Sequence, residues 1–192
     1  MGCTFAKTSK SGSAQDLNHA GEAPGAPPAQ DPRIPLTVRQ KFSISKSWKA
    51  IARAMDQTGV AMFVKLFEEN KELLALFEKF KHLESREAQE ESEELKEHAV
   101  SVMNSLDEAI NSLENVDQCI DYLHSVGKRH RKINGFKSEY FWKMEDPFLA
   151  AVKETLEDRY TENMESIYKT TIHFIIQTVI DGFEGTQQKN SA

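Results

Sequence analysis

The chain has little cysteine: only Cys3 and Cys119 occur in 192 residues. That excludes a disulfide framework and fits a reducing compartment better than secretion. No stretch approaches the roughly 20 consecutive apolar residues of a membrane-spanning helix. The N-terminus also lacks the apolar segment of a secretory signal. A basic excess is missing too. The net charge is -6, so no basic field exists to displace counterions from nucleic acid, and nucleic acid is not expected as a partner. No HExxH motif and no cysteine-pair spacing suggests zinc. No useful stretch alternates apolar and polar residues with period two, so no sheet is predicted. Proline is nearly confined to one end. Pro24, Pro27, Pro28, Pro32 and Pro35 are five of the six.

Those prolines mark residues 1–36 as a segment apart, with Gly, Ala and Ser between them. Such a composition buries too little surface to offset its ordering entropy, so it reads as a disordered or extended tail. From Thr37 the pattern turns helical. Thr37 and Gln40 have capping-box spacing, and Ile44, Trp48, Ile51 and Met55 form one apolar stripe. Thr58-Gly59 interrupts it. Val60, Phe63 and Phe67 give a second helix, and Leu73, Leu74 and Phe77 a short third. Residues 84–97 are rich in Glu and read as a solvated loop or helix face. Leu95, His98, Val102, Leu106, Ala109 and Leu113 share the next face. After a break near Glu114-Asn115, Val116, Cys119, Ile120, Leu123, Val126 and His130 share another, and Asn134-Gly135 ends that segment. Phe141, Met144, Phe148, Val152 and Leu156 follow. Met164, Ile167, Tyr168, Thr171, Ile175 and Val179 mark the last helix, which stops near Gly182. The class is all-α, with six to eight helices in about 150 residues. Pro147 either kinks a helix or sits at a helix start capped by Asp146.

Two histidines stand in phase with apolar stripes. His98 lies sixteen residues before position 114 and His130 sixteen after it. In an antiparallel hairpin turning there, the imidazoles meet at the open end. Directly packed helices lie roughly 8–10 Å apart. A slight splay leaves an apolar slot with a nitrogen ligand on each wall, which suits a flat apolar macrocycle whose metal takes axial imidazoles. The ordinary alternative is a pair of core histidines.

The stretch from Thr37 to about Gly185 resembles a globin, in the pattern of the neuroglobin and globin X groups. The matching pieces are Ser47-Trp48, Gly59 to Phe67, Leu73 to Phe77, His98 to Met103, and Tyr122 to Arg131. The histidine spacing is similar to that of neuroglobin. The resemblance implies a three-over-three helical sandwich around haem b in residues 37–185, with residues 186–192 as a short C-terminal tail. It implies His130 as proximal and His98 as distal iron ligand. Phe77 would pack flat on the haem, Phe63 and Val102 would form distal walls, and Phe136, Phe141, Met144 and Tyr168 would touch the cofactor. Trp48 and Phe67 remain ordinary core. Two positions depart from the family's pattern. Lys71 replaces a proline that often opens the third helix, and Ser101 replaces a cation that often reaches a haem propionate. Arg131, Lys132 or Lys128 could supply that cation, or could simply be a solvated helix end favoured by the macrodipole.

The distal histidine has two possible roles, binding the iron directly or standing off to hydrogen-bond bound gas. The resemblance implies the first, so an external ligand would have to displace His98. The expected function is binding of oxygen or another diatomic gas, with a role in redox sensing, electron transfer or protection near a membrane. The alternatives are a slow nitrite reductase or nitric oxide dioxygenase fed by an outside electron donor, and a haem-free helical adaptor. Of the other histidines, His19 lies in the tail, His82 in a loop, and His124 and His173 on partly solvated faces. Cys119 reads as a small core residue.

At the N-terminus, Met1-Gly2-Cys3 offers Gly2 to a myristoyl and Cys3 to a palmitoyl chain, although Ala6 stands where Ser or Thr is usual. Two chains make a stable anchor where one does not. The globin X resemblance implies such a terminus and a place on the cytoplasmic face of a membrane, the plasma membrane being expected. The competing reading is a chance Met-Gly-Cys.

Overall fold

The computed structural model describes residues 31–185. Seven α-helices occur among the described residues: α1 (Val38–Ala52), α2 (Met55–Glu69), α3 (Arg86–Glu90), α4 (Glu93–Asn111), α5 (Val116–His130), α6 (Glu145–Leu156) and α7 (Glu162–Glu184). Three short 3₁₀ segments interrupt them at Lys71–Leu76, Ser138–Met144 and Glu157–Arg159. No strand occurs among the described residues, as the lack of period-two alternation predicts.

The helix starts are written in the sequence. Thr37 forms the expected capping box: Gln40 N–H donates to Thr37 Oγ1 at 3.2 Å, and Thr37 N–H donates to Gln40 Oε1 at 2.9 Å. Ser85, Ser92, Asn115 and Thr161 accept at the starts of α3, α4, α5 and α7. Each satisfies an N–H that has no partner within its helix. Pro147 falls in the first turn of α6, where its missing N–H costs no helical bond.

Three boundaries differ from the expectation. Packing begins before Thr37, because Ile34 and Leu36 are buried in the core and Arg33 pairs with Asp31 and Asp117. The proline content around these two apolar residues hides them from a composition reading. Gly59 does not end a helix; α2 runs through it after a break at Arg53-Ala54. A Cβ on Gly59 would lie 2.9 Å from Met103 Cγ and 3.2 Å from Ala99 Cβ, so the glycine lets α2 cross α4 closely. Gly182 likewise lies inside α7, which stops at Gly185, a left-handed cap with φ of 80°.

The expected α4–α5 hairpin is only loosely joined. α4 packs mainly across α2, and α5 packs mainly along α7. The α5–α7 contact is close enough to need glycine on both sides. A Cβ at Gly127 would lie 2.0 Å from the Val179 carbonyl oxygen, and one at Gly182 would lie 2.4 Å from His124 Cα. Both neighbours are backbone and cannot move aside.

Polar pairs pin the helices from within. Trp48 Nε1–H donates to Asp107 at 2.7 Å, joining α1 to α4. Thr58 and Thr155 hydroxyls meet at 2.8 Å between α2 and α6. Tyr168 is fully buried, with its hydroxyl 3.0 Å from Ser47 Oγ. Burial pushes the Tyr168 phenol up to about 12, outweighing the Ser47 hydrogen bond, which lowers it.

That shift has a stability consequence. Below pH 10 the phenol is neutral in both folded and unfolded chains and gives no pH dependence. Above pH 10 the unfolded chain loses this proton first, so stability falls until the folded phenol also ionises near pH 12. The loss from this group is about 2–3 kcal/mol. Tyr168→Phe should lose about 1 kcal/mol at neutral pH through the missing hydrogen bond. Denaturant titrations between pH 9 and 12 should show a shallower alkaline decline in the variant than in the wild type. Parallel declines would contradict a buried, neutral Tyr168.

Candidate functional site: two imidazoles in an apolar cavity

A cavity of about 710 Å³ lies between α2, α4, α5, α7 and the first two 3₁₀ segments, within the roughly 300–1,000 Å³ of cofactor pockets. Its α4 wall is set by Leu95, Ala99, Met103 and Leu106, all buried. With these facing the core, the next positions around the helix turn His98 and Val102 to the cavity. The α5 wall is set by the glycine-mediated contact with α7, which leaves His130, the last residue of the helix, at the cavity edge.

Aromatic rings box each imidazole. The His98 ring is edge-on to Phe63 at 5.1 Å and to Phe77 at 5.2 Å, with Phe80 at 5.9 Å. The His130 ring lies 4.8 Å from Phe141 and 5.1 Å from Phe136. His130 Nδ1 lies 2.9 Å from the Val126 carbonyl oxygen. A carbonyl only accepts, so Nδ1 carries the proton and Nε2 keeps its lone pair. His98 makes no side-chain hydrogen bond among the described residues.

Burial pushes the His98 pKa down, and positive charge on His130 and Lys79 acts in the same direction. The His130 pKa is also lowered, first by burial and also by Arg129, against the opposing pull of the Val126 carbonyl. Both rings are therefore neutral at pH 7, the form in which imidazole binds a metal.

Among the described residues no group of three or more His, Cys, Asp or Glu could hold a bare metal ion. Two imidazoles fall short of the four ligands that zinc takes from protein and water. They do suit a metal that brings its own equatorial nitrogens, as haem iron does. The apolar lining fits the macrocycle, and Lys79 and Arg129 at the rim are cations suited to its propionates. The residues present fit a haem.

The structure brings Phe63, Phe77, Val102, Phe136, Phe141 and Met144 together with the two histidines around this cavity. Tyr168 and Arg131 are corrections. Tyr168 turns away from the cavity toward Ser47; Ile172, one turn on, lines it instead. The Arg131 guanidinium donates to the carbonyls of Phe183 and Gly182, closing the end of α7. Lys128 and Lys132 do not line the cavity either, whereas Arg129 does. Sequence reasoning missed Arg129, Lys79 and Phe80. The three-residue spacing from Phe77 to Phe80 was a usable signal, and the rings are in fact stacked 5.0 Å apart.

His82 and His173 are exposed and His124 is half-buried. Cys119 is buried and its Sγ donates to the Ala109 carbonyl at 3.5 Å, which fits a core role. Gly2, Cys3 and His19 lie outside the described residues.

Comparison with known proteins agrees with this geometry. The Globin family model matches residues 60–179. Cytoglobin-1 of Oryzias latipes is 31% identical over 134 residues, covering 70% of this chain and 76% of that one. Neuroglobin of Dissostichus mawsoni is 26% identical over 148 residues, covering 77% of this chain and 92% of that one. A crystal structure of a hexacoordinated haem protein from an anhydrobiotic tardigrade, solved at pH 4, superposes with a TM-score of 0.78. It is 39% identical and covers 81% of this chain and 99% of that one. The matched relatives and the cavity between α4 and α5 agree: this chain belongs to the globin family.

Proposed function

We propose that this globin holds haem b through His130 and His98 and binds oxygen or another diatomic gas when His98 gives way. One observation carries the reading: two neutral imidazoles on opposite walls of one apolar cavity. The structural relative described as hexacoordinated supports it. Bound haem would supply an iron able to take ligands from the protein and a diatomic gas.

The protein's residues set how that exchange proceeds. The Val126 carbonyl fixes the His130 ring and directs Nε2 inward. His98 lacks such a tether and is held by ring edges, so it is the imidazole that can swing aside. Phe63, Phe77 and Phe80 exclude water around it, and exposed Lys79 and Arg129 offer charge to the propionates. A site closed by its own side chain has its gas affinity lowered by the fraction of open sites, which suits redox sensing, electron transfer or protection better than bulk transport. We further propose that Gly2 and Cys3 are acylated and hold the protein on the cytoplasmic face of a membrane. The support is the Met1-Gly2-Cys3 sequence.

Three outcomes are expected. Ferrous wild type without added ligand should give a low-spin, six-coordinate spectrum. His98→Ala should turn it high-spin and raise apparent carbon monoxide affinity at least about tenfold, while His130→Ala should lose most haem on gel filtration. Colourless wild type that refuses hemin would remove the proposal, and a high-spin wild-type spectrum would remove six-coordination alone. Replacing Lys79 and Arg129 together with Ala should speed haem transfer to an acceptor apoprotein about fivefold, as expected of exposed charge pairs; an unchanged rate would clear them of a propionate role. Intact-mass analysis of the chain from eukaryotic cells should show loss of Met1 and two added acyl groups, and an unmodified mass would rule out the anchor.

A further inference from the structure

The outer face of α1 has no role in the fold or the cavity. Between Asp31 and Asp56 the sequence has no acidic residue, yet it carries Arg33, Arg39, Lys41, Lys46, Lys49 and Arg53 in a chain of net charge -6. Two of these are used internally: Arg33 pairs with Asp31 and Asp117, and Lys41 with Glu114. Arg39, Lys46, Lys49 and Arg53 have no ion pair among the described residues.

Spacing sets these four on one side of the helix. Arg39, Phe42, Lys46, Lys49 and Arg53 repeat at intervals of three, four, three and four, and every one is exposed. The buried stripe of the same helix is Ile44, Trp48 and Ile51. At 3.6 residues per turn the two stripes lie on opposite sides, and the basic one runs about 21 Å. Phe42 is 62% exposed and Val38 56% exposed. They are two of the three exposed large apolar side chains among the described residues, and both belong to the first turns of α1. Lys46 Nζ sits 5.3 Å from the centre of the Phe42 ring.

A solvated helix face does not need an exposed phenylalanine, and basic residues clustered in an acidic protein are not explained by solubility. Aromatic and aliphatic side chains flanked by cations on a helix lying parallel to a surface match an anionic bilayer: the rings enter the headgroup boundary and the cations meet lipid phosphates. We propose that the outer face of α1 docks on anionic membrane through Val38 and Phe42, with Arg39, Lys46, Lys49 and Arg53 supplying attraction. No α1 residue lines the haem cavity, so docking leaves the cavity walls untouched. The inference gives the proposed membrane location a contact surface, but it stands on described residues and not on acylation.

The test uses the full chain made in bacteria, where Gly2 and Cys3 carry no lipid, loaded with haem. It should co-sediment with vesicles containing 30% phosphatidylserine, stay in solution with pure phosphatidylcholine, and be released by 0.5 M salt. Phe42→Ser with Lys46→Glu and Lys49→Glu should weaken vesicle binding at least about tenfold. All three sites are exposed, so the haem spectrum and thermal midpoint should match the wild type. Equal sedimentation with both vesicle types, or unchanged binding by the triple variant, overturns the proposal. So does a concentration-dependent dimer that the triple variant abolishes, which would make this face a self-association surface. Failure here leaves the acyl anchor standing, because intact mass reads that separately.

Discussion

Everything at the haem site depends on how two helices are fixed at places remote from it. Protein interiors are close-packed, and walls lined by Leu, Ile, Val and Phe attract one another as readily as they attract a cofactor. The separation of α4 and α5 is therefore not set by the cavity lining. It is set by Gly59, where α2 meets α4, and by Gly127 and Gly182, where α5 meets α7. At each place a missing Cβ allows one helix to seat deeply on a partner that is not the opposing wall. Two helices adjacent in sequence are thus drawn apart onto different neighbours, and an imidazole is left on each side of the gap.

The same division explains what the sequence revealed. Local patterns were legible. The Thr37–Gln40 capping box, the Ile44–Trp48–Ile51 stripe and the phase of His98 and His130 all follow from the helical repeat, and the structure reproduces each. Phe136 and Phe141, which the globin resemblance places at the cofactor, also lie against His130. Long-range contacts were not legible. Gly59 and Gly182 look like helix breakers when read locally, and only the neighbouring helix shows why each is glycine. Tyr168 lies on a helix buried around much of its circumference, so periodicity could not say which side meets the cavity. Arg131 follows the last turn of α5, where one residue of rotation decides between the rim and the α7 carbonyls. The apolar pair Ile34 and Leu36 was hidden by flanking prolines, which dominate a composition average without preventing burial.

Burial makes the imidazoles useful and also makes them unequal. Desolvation disfavours the charged ring in both, so each keeps a lone pair at neutral pH. Val126 then treats them differently. Its carbonyl binds the His130 proton, fixes that ring's orientation and increases its basicity as a ligand. His98 is surrounded by Phe63, Phe77 and Phe80, which confine it without a directional bond. Rotation of an untethered ring against aromatic edges forfeits dispersion contacts, whereas rotation of His130 would also break its Nδ1–H hydrogen bond to Val126. The asymmetry that the proposed exchange of His98 for a gas would need is therefore built into the protein's own side chains.

Helix α1 shows how a second role can be added without disturbing this arrangement. Its inward face is committed: Trp48 donates to Asp107, Ser47 meets Tyr168, and Ile44 and Ile51 are fully buried. Substitution there would shift α4 and, through it, His98. The outward face touches none of these groups, so its charge is constrained only by solubility and by whatever it meets. Arg39, Lys46, Lys49 and Arg53 stand on that face, and no carboxylate lies between Asp31 and Asp56. Neither the core nor the cavity requires that bias, and it is the charge that the proposed contact with an anionic membrane would use.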